Sequence, residues 1–120
     1  MKKRIIITGS KGRIGKDLKK FLEKDYDIIE VNRGDTLSSN LFKNIDSLIH
    51  LAAKTPNGKD ITLEGYIKDN VGYTQEVLWY AAKNNVRKII IPTSWSWAFK
   101  IGHYQYSKLL QEKIAQQYQK

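Results

Sequence analysis

The 120-residue chain is 41% hydrophobic and 28% charged, a globular rather than a disordered composition, at a length suited to one domain with one core. It has no cysteine, which excludes a disulfide framework and a thiolate metal site, and no apolar run approaches the roughly 20 residues of a membrane span, so a cytoplasmic location is the default expectation. The formal net charge of +9 leaves three accounts open: a solvated lysine-rich helix face, positive potential from Lys11 and Arg13 beside a bound phosphate, or nucleic-acid binding, although no helix-turn-helix, zinc-finger or aromatic-basic RNA motif accompanies it.

Lys3–Thr8 predicts the first strand. Its apolar run Ile5–Ile7 is too short for a signal-peptide core and suits burial on both faces. Ile14, Leu18, Phe21 and Leu22 recur at i, i+4, i+7 and i+8, predicting an amphipathic helix over 13–24 with that stripe inward. Asp27–Val31 predicts a second strand, closed by Asn32-Arg33-Gly34-Asp35. The polar stretch Thr36–Asn44 is too short for a helix-and-strand unit, and Asp46–Ala52 predicts another apolar strand. Residues 54–62, around Pro56-Asn57-Gly58, predict a loop. Val71, Thr74, Leu78, Ala81 and Ala82 mark one long helix over roughly Leu63–Asn85. Lys88–Pro92 predicts a strand, Thr93–His103 a loop, and a last helix runs from about Tyr104 to the end. This alternation predicts an α/β fold, a Rossmann-like parallel sheet of four to five strands with helices on both faces, in a single domain over 1–120.

Between the first strand and the first helix stands Gly9-Ser10-Lys11-Gly12-Arg13-Ile14-Gly15, with glycines at i, i+3 and i+6. Gly9 permits a tight turn off the strand. Gly12 removes a side chain where backbone must approach an anion, and Gly15 lets the helix pack closely on the strand. Unpaired amides of the first helical turn, at the positive end of the helix dipole, suit the pyrophosphate of a dinucleotide. No Gly-Lys-Ser/Thr ends the turn, so it is not a Walker loop. A tight turn that binds nothing is the bland alternative.

Four motifs in order are similar to those of the short-chain dehydrogenase/reductase superfamily, in its extended branch of NAD-dependent epimerases and dehydratases acting on nucleotide sugars. They are Thr8-Gly9-x-x-Gly12-x-x-Gly15; Asp46-Ser47-Leu48-Ile49-His50-Leu51-Ala52-Ala53; Asn70-Val71 through Thr74, with Tyr73 where glycine is usual; and Tyr104-x-x-Ser107-Lys108, preceded by Thr93-Ser94. The resemblance implies that Leu51, Ala52 and Ala53 lie beneath the cofactor with Arg13 and Ile14 nearby, and that Asn70 fixes backbone near the active site. It also implies that Tyr104 is the catalytic acid/base. Lys108 would orient the nicotinamide ribose and lower the tyrosine pKa, and Ser94 would hold the reacting hydroxyl or carbonyl, with Ser96 second to it. Tyr104 and Lys108 are four apart on one helical face, and a nearby ammonium favours phenolate. Asn32-Arg33 stands where the family places an acid for the adenosine ribose. Arg33 suits a 2′-phosphate, so NADP is favoured over NAD. Asp35 is either the adenine-side aspartate or a turn former beside Gly34. His50 is read as structural, and no metal site is predicted. Trp95, Trp97 and Phe99 alternate, so the three rings can share one side of an extended segment; Trp79 and Tyr80 either finish the core or serve a dimer face.

By that resemblance the fold is truncated. The segment before Asp46 is short, so the strand usually found there is expected to be absent or reduced to a few residues, and the substrate-binding C-terminal region is expected to be absent. The leading expectation is a nicotinamide-dependent oxidoreductase or epimerase domain with a Ser-Tyr-Lys site, a sugar-nucleotide or other small carbonyl or hydroxyl substrate, and a homodimer as candidate assembly. The alternatives are a non-catalytic or fragmentary dinucleotide-binding module and, behind it, a basic nucleic-acid-binding protein.

Overall fold

The computed structural model describes residues 2–53, 62–92 and 102–118. Four parallel strands, β1 (Arg4–Thr8), β2 (Asp27–Val31), β3 (Ser47–His50) and β4 (Lys88–Ile90), form one sheet in the order β2-β1-β3-β4. The chain leaves β1 for one neighbour, β2, and later returns to its other side as β3. This reversal is a topological switch point, where open α/β sheets bind ligands at the carboxyl ends of their strands. The stretch before β3 makes only a 3₁₀ turn, Asn40–Phe42, so no strand stands there, as its length predicts.

The chain divides into two compact units, residues 1–52 with 79–91, and residues 53–78 with 92–120. The first holds the whole sheet. Ile5, Ile7 and Ile49 make one cluster, packed by Leu18 and Leu22 of helix α1 (Arg13–Leu22) and by Tyr26, Ile28 and Leu51. Ile6 and Leu48, of the opposite parity, are also fully buried, which explains the continuous apolar runs. Phe42 of the 3₁₀ turn stacks on Tyr80 at 5.7 Å between ring centroids. Burial of the isoleucine cluster against α1 stabilises this unit by about 1.5–3 kcal/mol for each fully buried side chain.

The inward stripe expected for α1 is corrected. Leu18 and Leu22 do face the sheet, but Ile14 and Phe21 are 67% and 71% exposed, and the buried residue of the helix is Gly15. The helix lies closest to β1 at the glycine, so its buried meridian runs through 15, 18 and 22. Residues 14 and 21 sit roughly 100° around the helix from it.

The second unit is helical. Thr62 caps α2 (Leu63–Tyr66), its hydroxyl accepting from the Gly65 N–H at 3.1 Å. A π-helical segment, Ile67–Gly72, follows and leads into α3 (Tyr73–Lys83), which runs on into the first unit. The single long helix expected over Leu63–Asn85 is therefore broken by one wide turn. Its end is as expected: Asn85 takes φ 57°, and the Val86 N–H reaches the Ala81 carbonyl at 3.0 Å, a left-handed cap. Helix α4 (His103–Gln117) packs on the π segment and on α2. Its first turn is closed by the Gln105 side chain, which accepts from the Gly102 N–H at 3.1 Å. Among the described residues no helix is long and apolar enough to cross a membrane, and no cluster of acidic or histidine side chains could hold a metal ion.

Candidate functional site

Strand β1 ends in a corner that only glycine can turn. Gly9 has φ +71°, and a Cβ there would lie 2.8 Å from the Ala52 nitrogen. The Gly9 N–H is held by the Val31 carbonyl at 2.9 Å, and the Thr8 carbonyl and hydroxyl receive the N–H groups of Leu51 and Ala52, both at 3.1 Å. The ends of three adjacent strands are thus tied together beneath the turn. A Cβ on Gly15 would come within 2.3 Å of the Gly9 carbonyl oxygen and 2.7 Å of the Ser10 Cα. The glycine therefore sets the approach of helix to strand, as its spacing predicts.

Gly12 is the N-cap of α1. It has no side chain to cap the helix, and no acidic residue stands in the first turn. The amides of Arg13, Ile14 and Gly15 therefore stand at the positive end of a ten-residue helix whose first turn carries no carboxylate. Such a corner can receive an anionic diphosphate through backbone alone.

A web of side chains fastens this turn to the end of β2. Ser10 donates to Glu30 Oε1 at 2.9 Å, Asn32 Nδ2 donates to Ser10 Oγ at 3.0 Å, and the Lys11 N–H donates to Asn32 Oδ1 at 3.2 Å. Both ends of the Asn32 amide are used. Lys19 stands 3.6 Å from Glu30 and from Glu23. The Asp35 carboxylate accepts from the Asn32 N–H at 2.8 Å, its own N–H returns to the Asn32 carbonyl, and Gly34 has φ +93°. Of the two readings of Asp35, the structure carries the turn former. Arg33, on the tip of that turn, is exposed. His50 is buried with its Nδ1 2.7 Å from the Thr8 hydroxyl, a structural place.

In the second unit Tyr104 is the second residue of α4, and Lys108 follows one turn later at 7% exposure. Tyr66 meets Tyr104 edge-on at 5.9 Å. Asn70, fully buried on the π segment, donates from Nδ2 to Ser107 Oγ at 3.1 Å, and Ser107 donates to the Tyr104 carbonyl at 2.7 Å. The π turn thus presents Asn70 to the backbone of α4 at Tyr104, so Asn70 is no solvent-facing polar residue. Burial, and then the Tyr66 phenol, raise the Tyr104 pKa above its usual 10.0. The lowering expected from Lys108 is not among the causes acting on it. Burial alone lowers the Lys108 ammonium from 10.5.

The structure therefore gathers Gly9, Gly12, Arg13, Ile14, Gly15, Asn32, Arg33, Leu51 and Ala52 in the first unit, and Asn70, Tyr104 and Lys108 in the second, which Ala53 begins. Ser94 lies outside the described residues, with Thr93, Ser96, Trp95, Trp97, Phe99 and Pro56-Asn57-Gly58. Sequence reasoning missed Ser10, Glu30, Tyr66 and Gln111 as neighbours of candidate residues. Only Gln111 carried a local signal, because it stands three residues after Lys108 on a helix.

The family described as NAD dependent epimerase/dehydratase matches residues 5–120. Among solved structures, UDP-glucuronic acid 4-epimerase from Bacillus cereus in complex with NAD superposes with a TM-score of 0.84 at 23% identity, over 96% of this chain and 52% of that one. MoeE5 in complex with UDP-glucose and NAD gives 0.86 at 21%, over 96% and 48%. A short-chain dehydrogenase/reductase superfamily protein from Agrobacterium tumefaciens with bound NAD gives 0.82 at 18%, over 98% and 45%. The chain spans about half the length of these structures, and they establish its Rossmann-like fold. Among curated protein sequences none matches the chain.

Proposed function

Since the chain belongs to the NAD dependent epimerase/dehydratase family, we propose that it binds NAD through the corner at Gly9–Gly15 and serves hydride-transfer chemistry on a nucleotide sugar. The observation that carries this reading is the start of α1: a cap without a side chain, a first turn without an acid, and glycines whose Cβ atoms would collide with backbone. Backbone amides of Arg13, Ile14 and Gly15 would hold the pyrophosphate, with Lys11 and Arg13 adding positive potential. Leu51, Ala52 and Ala53 would lie against the cofactor, and Asn32 would meet the adenosine ribose. NAD is proposed rather than the NADP favoured from Arg33. The three solved structures named above hold NAD, and nothing in them supports the 2′-phosphate.

When bound, nicotinamide accepts or returns a hydride. The chain's own part is the proton: Tyr104 would take it as a phenolate from the substrate hydroxyl, or give it as a phenol to the substrate carbonyl oxygen, which Ser94 would hold by a hydrogen bond. Lys108 would orient the ribose beside Tyr104. Asn70, through Ser107, fixes the backbone that carries the phenol. The substrate class follows the nucleotide sugars held by the neighbours, UDP-glucose in MoeE5 and UDP-glucuronic acid in the Bacillus cereus enzyme. A cytoplasmic location and a homodimer go with the proposal, to be checked by fractionation and by sedimentation.

A second reading, a dinucleotide-binding module without turnover, is favoured by one observation: the surroundings of Tyr104 raise rather than lower its pKa. Thermal-shift titration with NAD(H) and NADP(H) tests the cofactor reading. A stabilisation that saturates with NAD supports it, and no shift at millimolar cofactor removes both readings. NADH formation or epimerisation with UDP-sugars, compared between the wild type and Tyr104→Phe, then separates enzyme from module. Activity lost in the variant with NAD binding intact supports catalysis, and equal, negligible turnover in both leaves the module.

A further inference from the structure

Gln111 lies one turn beyond Lys108 on α4 and is 1% exposed. The Lys108 Nζ donates to its Oε1 at 2.9 Å. An ammonium has donors and no acceptor, so the chemistry fixes which end of the amide faces it. The other end shows what this arrangement costs. Gln111 Nε2 is buried with no hydrogen-bond partner among the described residues. An unmet buried donor costs about 1–3 kcal/mol, a penalty that leucine or methionine would avoid in the same space. Packing alone therefore argues against glutamine. The interaction that offsets the penalty is the charge-assisted bond to Lys108.

Lys108 needs such an acceptor. Burial acts against its charged form, and it is the sole cause of the lowered pKa. The segments packed on α4 bring Glu64, Lys68 and Asp69 as charged groups and Tyr66 as a phenol, with Tyr73 and Glu76 following on α3. On α4 itself stand His103, Tyr104, Tyr106, Glu112 and Lys113. None of these contributes to the shift, so among the described residues no carboxylate holds the ammonium. The neutral Gln111 oxygen does.

We propose that Gln111 is a positioning residue, which keeps the Lys108 side chain charged and fixed against α4 so that it can orient the cofactor ribose. The second half of this statement rests on the role given to Lys108 above.

The test follows the Lys108 ε-methylene by NMR through a pH titration of the full chain, assigned with Lys108→Met, in the wild type, Gln111→Met and Gln111→Glu. NAD affinity is measured on the same samples by calorimetry. In Gln111→Met the Lys108 midpoint moves down and NAD binds about tenfold more weakly. In Gln111→Glu, which keeps an acceptor oxygen, the midpoint moves up and affinity returns to within about twofold of wild type. A merely structural role would leave the midpoint in place and make the buried glutamate the worse substitution, so midpoints unmoved in both variants overturn the proposal. If Gln111→Met does not fold, Gln111→Glu decides alone: a raised midpoint supports the proposal and an unchanged one overturns it. Should the midpoints move as expected while the wild type binds no NAD, Gln111 still positions Lys108, and it is the cofactor reading that fails.

Discussion

Gly12 and Gly15 belong to one turn and make opposite demands. A Cβ on Gly15 meets backbone at 2.3 Å, and backbone has no rotamer to yield, so Gly15→Ala should cost about 3 kcal/mol in urea denaturation, the upper end for overpacking. A Cβ on Gly12 meets only the Gly9 oxygen at 3.3 Å, so Gly12→Ala should cost under about 1 kcal/mol while weakening NAD binding at least tenfold. Equal losses of stability in the two variants would make Gly12 an ordinary turn residue. Lys108 and Tyr104 give a second prediction. The Lys108 pKa is lowered on folding, so its burial opposes folding at neutral pH, and stability rises with pH from the folded pKa up to 10.5. The Tyr104 pKa is raised, so its contribution is lost only as pH climbs above 10.0. Below pH 10.0, where the Tyr104 contribution is intact, Lys108→Met should flatten the rise in urea midpoint expected of the wild type as pH climbs, and an unchanged slope would refute the buried ammonium. The glycine triplet was legible in the sequence because its demands are local. The Ser10–Glu30–Asn32 web and the Tyr66–Tyr104 contact were not, since they join residues twenty or more apart: the web depends on the strand register and the ring contact on the packing of α4 against α2.

Elements came through by type more faithfully than by face. Strand positions followed from continuous apolar runs, and Asn85 announced the end of α3 by its tolerance of positive φ. The inward face of α1 did not follow, because Ile14 and Phe21 share the helical period of Leu18 and Leu22, and only the close approach at Gly15 decides between two adjacent meridians. Nor was the π turn readable: Ile67–Gly72 keeps a helical composition, and its widening appears only in the hydrogen bonding. That turn brings Asn70 to Ser107, in keeping with the tendency of π segments to mark functional positions. Gly72 closes it, exposed, with a Cβ position only 3.7 Å from the Ile67 oxygen and no need of positive φ. Gly72→Ala should therefore stabilise the chain by about 0.5–1 kcal/mol, by restricting the unfolded backbone and favouring helix. Thermal denaturation checks this. A lower melting point would mean that the wide turn needs glycine for a reason the backbone does not show.

For the molecule as a whole, a parallel sheet could be read from the alternation of elements and the shortfall of a strand before β3 from a segment length, while the strand order β2-β1-β3-β4 appears only in the structure. The net charge of +9 could be counted but not interpreted. In the structure Lys2, Lys3, Lys11, Arg13, Lys16, Lys20 and Lys24 are all exposed in the unit that holds the glycine corner. Like charges at that density repel one another, and the repulsion opposes compaction. Salt screens it, since the Debye length falls from about 30 Å at 0.01 M to about 10 Å at 0.1 M. The melting point of the unliganded chain should therefore rise between 20 and 300 mM sodium chloride, by roughly 3–6 °C for each 1 kcal/mol of repulsion removed. NAD carries its pyrophosphate into the same field, so the increment it adds to the melting point should shrink over that range. The two effects have opposite signs in one experiment. If both grow with salt, screening of the lysine field is not what acts on the cofactor; if neither changes, the basic residues are too well solvated to matter either to folding or to binding.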